Sequence, residues 1–227
     1  MPPVYAQGEI GSCTANAIAG AIQFDRLKNK QGPDFLPARL FIYYNERAMA
    51  GSIGTDSGAQ IRDGIKSVAK QGVCPESLWP YVASPADPNT GEWPAGAKAV
   101  VKPSPAAYTA AAQFEAVKYM TVNQSEIALK QCLADGWPVV FGITVYNSLW
   151  DDNGEPRVLV PMPGPNDHVE GGHAICIVGY DDSKKLFTIR NSWGPDHQEA
   201  GHFFLPYEYV LSKGLASDFW TIRVMKH

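Results

Sequence analysis

The chain has 227 residues, 19% charged and 45% hydrophobic, with a formal net charge of −4 and a pI near 5.7. That length and apolar fraction suit one soluble globular unit of two lobes, and the mild acidity argues against a basic face for RNA or DNA. No apolar run approaches the roughly 20 residues that span a bilayer, and Met1-Pro2-Pro3 is not the charged-then-apolar opening of a signal peptide.

In chain order, small residues alternating through Ala15, Ala17, Ala19 and Ala21, with Ile18 and Ile22 four apart, predict a closely packed helix over 13–30. Further helices are expected over 38–50 and 58–71, the last with Ile61, Ile65, Val68 and Ala69 on its buried face and Gly72 as its stop. These make a helical lobe. Residues 83–106, rich in Pro, Ala, Gly and Ser, read as a loop crossing to a second lobe. Asn123 with Glu126 resembles a capping box opening a helix through Leu133, which Gly136 and Pro138 close. Strands follow over 139–146, 173–180, 186–191, 201–205 and 218–225, with Asp181-Asp182-Ser183-Lys184-Lys185 as a hairpin turn.

Four residues scattered along this pattern carry chemistry. Cys13 opens the first helix in the run Gln7-Gly8-Glu9-Ile10-Gly11-Ser12-Cys13, His173 follows Gly171-Gly172 into a strand, and Asn191-Ser192-Trp193-Gly194 ends another. A free thiol has a pKa of about 8.5, and only its thiolate attacks a carbonyl. The positive end of a helix and a neighbouring imidazolium both favour the anion, which makes His173 the expected partner of Cys13. Asn191 would orient the imidazole through its amide oxygen without adding charge, and Trp193 would roof that bond from water. The Gln7 side-chain amide and the Cys13 backbone N–H are candidate donors to the oxyanion of acyl transfer.

Together these blocks resemble the papain family of cysteine peptidases: Gln7 through Gly11-Ser12-Cys13, then Gly172-His173-Ala174 before Val178-Gly179-Tyr180, then Asn191-Ser192-Trp193-Gly194, joined by a stretch ending in Trp79-Pro80-Tyr81. The resemblance implies an α+β, papain-like two-lobe fold: a helical lobe to about residue 106, a lobe with an antiparallel barrel-like sheet from about 107 to 227, and the active site in a cleft between them. It implies Cys13 as nucleophile, His173 as general acid and base, Asn191 as its orienter and Gln7 as oxyanion donor, in a thiol-dependent endopeptidase working through a thioester. Peptide ligase, amidase, deamidase and non-catalytic peptide-binding alternatives share the same residues. Gly58 would pair with an extended substrate, Ala59, Gln60 and Ala174 would shape the pocket two residues before the scissile bond, and Gly172 and Trp193 would line the site.

Departures from the family pattern carry their own expectations. Ile10 replaces a disulfide cysteine, and the Cys-Asn-Gly-Gly run holding its partner becomes Thr55-Asp56-Ser57-Gly58, so both halves of that bridge are missing together. Gly172 stands where many members carry Asp, and His197 where a second Trp is common. Of the remaining cysteines, Cys132 and Cys176 read as buried thiols, with a Cys74–Cys132 bridge left open. The paired spacings His168/His173 and His197/His202 are poor for a zinc site, and the chemistry needs no metal or organic cofactor. Expected partners are peptide or protein substrates and a propeptide or inhibitor outside this chain, with no nucleic acid, no membrane and a monomeric state; the compartment is open. Pro156, Pro161, Pro163 and Pro165 mark 147–170 as the segment that would restrict access and decide between endo- and exopeptidase action.

Overall fold

A computed structural model describes residues 1–30 and 34–225, apart from the side chains of Val117, Val224 and Met225. The chain resolves into two compact units, one comprising mainly Gln7–Tyr119 and the other Pro3–Ala6 with Met120–Thr221. Among the described residues no helix is long and apolar enough to cross a membrane.

The first unit is built on α1 (Cys13–Lys28), α2 (Arg39–Ala50), α3 (Ile61–Gln71) and a short α4 (Pro105–Ala111). Ala15, Ile18, Ala19, Ala21 and Ile22 of α1 are fully buried, because small side chains let α2 and α3 approach its backbone. α3 ends at Gly72, whose φ of +73° suits glycine, and an added Cβ would meet the Ala111 carbonyl oxygen at 1.8 Å. The third helix starts later than the sequence pattern predicts. Gly58 is left-handed (φ +65°) and Gln60 is extended (φ −90°, ψ 135°), so the stretch before Ile61 runs as open chain. α4 begins inside the expected loop because Ser104-Pro105 is itself a helix start: the Ser104 hydroxyl accepts the Ala107 N–H and proline occupies the first turn.

The strands are β1 (Ala116–Thr121), β2 (Val139–Tyr146), β3 (Val169–Asp181), β4 (Leu186–Arg190), β5 (His202–Pro206) and β6 (Ala216–Met225). They form an open six-stranded sheet in the order β1-β6-β2-β3-β4-β5, so the antiparallel sheet expected from the resemblance is present without closing into a barrel. The second unit packs one face of this sheet into a core of Val139, Phe141, Ile143, Ile175, Ile177, Phe187 and Ile189, against α5 (Glu126–Ala134) and α6 (Tyr207–Leu211). The cap of α5 is Ser125 and not Asn123: the Ser125 hydroxyl accepts the Ala128 N–H, while Asn123 contributes its carbonyl to Ser125. On the opposite face, Arg190 donates to the Pro3 carbonyl and lies 4.9 Å from the centroid of the Tyr5 ring, which fastens the N-terminal segment to β4.

The segment before β3 is structured. Trp150 pairs with Pro156 around a tip in which the Asp151 carboxylate accepts the N–H groups of Asn153 and Glu155 at 2.8 and 2.9 Å. The chain then runs beside β5, with Phe204 N–H donating to Val158 O at 2.7 Å and Val160 N–H to Phe204 O at 3.1 Å. None of the four cysteines forms a disulfide, and burial pushes the thiols of Cys74 and Cys176 up to about 12.

Candidate active site

Cys13 is the first residue of α1. Ser12 makes no side-chain cap, and the first turn of α1 contributes no acidic residue of its own to the positive end of the helix. The Ser12 hydroxyl is engaged elsewhere. Asn16 Nδ2 donates to Ser12 Oγ at 3.0 Å, Ser12 Oγ and Tyr81 Oη are 2.6 Å apart, and Tyr81 Oη donates to the Gln7 carbonyl at 2.7 Å. The single Tyr81 proton goes to a carbonyl, so the Ser12 hydroxyl is the donor to Tyr81. At the far end Arg39 Nη1 donates to Asn16 Oδ1 at 3.1 Å, while Arg39 Nε and Nη2 grip both oxygens of Glu76 at 2.9 Å. The run from Gln7 to Cys13 is therefore held by a chain of bonds with one direction. Gln7 is buried, and its Nε2 donates to the Ile10 carbonyl at 3.0 Å, which commits one amide hydrogen to the loop.

A second support comes from Asp56, whose oxygens accept the Gly11 N–H at 3.1 and 2.9 Å and whose Oδ1 also takes the Tyr43 hydroxyl. Glu46 lies fully buried with Oε1 receiving the Thr14 hydroxyl at 2.5 Å. Burial raises its pKa well above the ordinary 4.5, the Thr14 bond opposes this, and the nearby charge of Cys13 adds to the rise.

In the other unit, antiparallel register brings His173 and Asn191 together. Cys176 pairs with Arg190, so Asn191, one step beyond β4, sits diagonal to His173 on the core face of the sheet. His173 Nε2 and Asn191 Oδ1 are 2.8 Å apart, and the Ser192 N–H donates to the same oxygen at 2.9 Å. Trp193 stacks on the His173 ring with centroids 5.1 Å apart, and Trp150 stacks on Trp193 at 5.3 Å. His173 is buried, which lowers its pKa below 6.5, while the Asn191 bond opposes that shift. Gly172 is exposed and Ala174 buried on either side of it. Gly58 and Ala59 are half-buried and Gln60 is exposed, in the extended stretch before α3.

A profile described as papain family cysteine protease matches residues 1–218. The chain belongs to the papain family of cysteine proteases. Xylellain, a cysteine protease from Xylella fastidiosa, superposes with a TM-score of 0.95 at 54% identity, covering 99% of this chain and 84% of that one. An uncharacterized peptidase C1-like protein of Acanthamoeba polyphaga mimivirus is 42% identical over 96% of this chain and 68% of its own length. A cathepsin L-like proteinase of Phaedon cochleariae is 26% identical over 89% of this chain and 56% of its own. Family membership makes thiol peptidase chemistry the activity class of the chain.

Several residues that support the site carry no sequence signal of that role. Tyr81 stands in the stretch that resembles the family, yet its bond to the Gln7 carbonyl spans a separation no local pattern reports. Asn16, Arg39 and Glu46 look like polar interruptions of helices. Gln198, whose Oε1 accepts from Asn191 Nδ2 at 2.8 Å, looks like a loop glutamine.

Proposed function

We propose that the chain is an endopeptidase in which Cys13 is the nucleophile, His173 the general acid and base, Asn191 its orienter and Gln7 an oxyanion donor. The Cys13 thiolate attacks the scissile carbonyl, forming a C–S bond and placing the carbonyl electrons on oxygen. The oxyanion is met by the Cys13 backbone N–H and a Gln7 amide hydrogen. Collapse of the tetrahedral intermediate breaks the C–N bond as His173 protonates the leaving amine, and the same imidazole then deprotonates the water that releases the acyl group. Gly58 would pair with an extended substrate, with Ala59, Gln60, Gly172, Ala174 and Trp193 lining its path.

The observation that carries this reading is the 2.8 Å pairing of His173 with Asn191 beneath Trp193. A buried imidazole held by a neutral amide is restrained in rotation, and the indole screens the bond between them from water, which keeps the ring oriented for proton transfer.

The test is the pH dependence of Cys13 alkylation by iodoacetamide, read by peptide mass, in the wild type and His173→Ala. Rapid labelling of Cys13 well below pH 7 that slows in the variant is the expected result. Labelling that rises only near the ordinary thiol pKa of about 8.5 in both proteins would overturn the pairing. Product masses from a long unstructured peptide decide the mode: internal fragments are expected, and release of terminal residues or dipeptides alone would make it an exopeptidase.

A further inference from the structure

Beyond the four residues above, we infer that Gln198 is a positioning residue that fixes the polarity of the Asn191–His173 couple by anchoring it to the backbone of residue 157. The inference rests on the proposed roles of His173 and Asn191.

The carbonyl oxygen of Arg157 can only accept, and the Gln198 side chain reaches it at 2.9 Å, so the Gln198 amide must present Nε2 there. Its Oε1 is thereby turned toward Asn191, 2.8 Å from Nδ2. Asn191 must then direct Oδ1 at His173, and Nε2 of the imidazole must carry the hydrogen of their bond. In the neutral ring this leaves Nδ1 as the nitrogen without a proton. A second backbone group agrees, because the Ser192 N–H can only donate and does so to Asn191 Oδ1. The two anchors hold opposite ends of the Asn191 amide.

The anchor at residue 157 is itself fixed. Arg157 N–H donates to Leu149 O at 2.9 Å and Arg157 Nε donates to Trp150 O at 3.0 Å. Trp150 is the residue that stacks on Trp193, which in turn stacks on His173. The strap from Leu149 to Arg157 thus reaches the couple twice, through stacked rings on its face and through the Gln198 amide at its end.

The backbone at Gln198 points the same way. Its φ of +54° is a left-handed conformation that glycine occupies freely and glutamine does not, so fold stability alone would favour glycine there. Glutamine at that φ supplies a side chain that donates at one end and accepts at the other, which glycine cannot.

Gln198→Gly separates the two roles, since it relaxes the backbone while removing the amide. The expected result is an unchanged or higher Tm, kcat lowered about five- to tenfold on a peptide substrate with little change in KM, and, in a Cys13→Ala background above pH 6.5 where the ring is neutral, loss of the single Nε2–H tautomer of His173 in 15N NMR spectra. Gln198→Glu should lower kcat as well, because an ionised carboxylate accepts from Asn191 but cannot donate to Arg157 O. Wild-type kcat in Gln198→Gly with an unaltered tautomer would overturn the inference, as would a fall in Tm and kcat with that tautomer intact. His173→Ala run alongside keeps the two readings apart: activity surviving in that variant would remove His173 from the reaction, whereas the tautomer spectrum of Gln198→Gly needs no turnover.

Discussion

The carboxylate of Asp56 accepts the Gly11 N–H through both oxygens, at 3.1 and 2.9 Å, and so ties the run before Cys13 to the segment before α3. Family resemblance places a disulfide between these two segments, and here Ile10 and Thr55 stand at the cysteine positions. A charged hydrogen bond thus links the segments that a covalent bridge would join. Tyr43 adds to it, since its hydroxyl donates to Asp56, and burial, helped by that bond, pushes the phenol far above its ordinary pKa. Asp56→Ala should therefore cost about 3 kcal/mol, the range for losing hydrogen bonds to a charged group, and should slow Cys13 labelling by loosening the loop that carries it. Denaturation of the wild type should be the same with and without reductant, because none of the cysteines is bridged. A midpoint that drops in reductant would contradict this account.

His173 offers a prediction with a definite sign. Burial lowers its pKa below 6.5, so between the folded value and 6.5 the unfolded chain binds more protons than the native one. Stability contributed by this group is complete above pH 6.5 and is lost as pH falls through that window. In Cys13→Ala, where no thiolate can stabilise the imidazolium, the 15N titration of His173 should have its midpoint below 6.5. The wild-type midpoint should lie higher if the proposed ion pair forms. Equal midpoints in the two proteins would mean that the thiolate and imidazolium do not interact.

Glu46 runs in the opposite direction. Its pKa is raised well above 4.5 by burial, and Oε2 has no hydrogen-bond partner among the described residues. Above pH 4.5 the unfolded chain gives up this proton while the native chain keeps it, so stability falls as pH rises until the folded pKa is passed. Space for the carboxyl comes from Gly64, where an added Cβ would meet Glu46 Oε2 at 2.4 Å. Glu46→Gln keeps the shape without the ionisation, and its stability relative to wild type should increase between pH 4 and pH 7 in urea melts. Cys13 labelling should persist in this variant, because a neutral side chain does not oppose a thiolate. A constant stability difference across that pH range would show that Glu46 does not titrate as burial dictates.

How much of this was legible in the sequence follows from the range of each interaction. α1 follows local periodicity, α2 lies within one residue of its expected bounds, and β2 spans the expected 139–146. Asn191 and Trp193 were readable as motif residues because they stand in one short run of the chain. β1 and α4 escaped because mixed polarity in Lys118-Tyr119-Met120 and a proline-rich run mask an edge strand and a helix start. Asp56, Gln198 and Arg157 escaped for a different reason: each acts through a backbone N–H or C=O, and backbone groups leave no mark on residue identity.

Tyr81 tests that last point on the cysteine side. Its hydroxyl donates to the Gln7 carbonyl at 2.7 Å and accepts from Ser12, with Arg39 stacked 3.9 Å from its ring centroid. Tyr81→Phe keeps the ring, and hence the Arg39 contact, while leaving the Gln7 carbonyl and the Ser12 hydroxyl each short of a partner. Two half-buried hydrogen bonds at about 1 kcal/mol each predict a stability loss of about 2 kcal/mol. The larger effect should fall on catalysis, because freeing the Gln7 carbonyl lets the whole residue, and its side-chain amide with it, drift from the proposed oxyanion position. Steady-state kinetics should accordingly show kcat reduced about tenfold or more with KM nearly unchanged, in line with a contact made in the transition state. If Tyr81→Phe instead raises KM at constant kcat, Gln7 belongs to substrate binding and its assignment to the oxyanion is wrong.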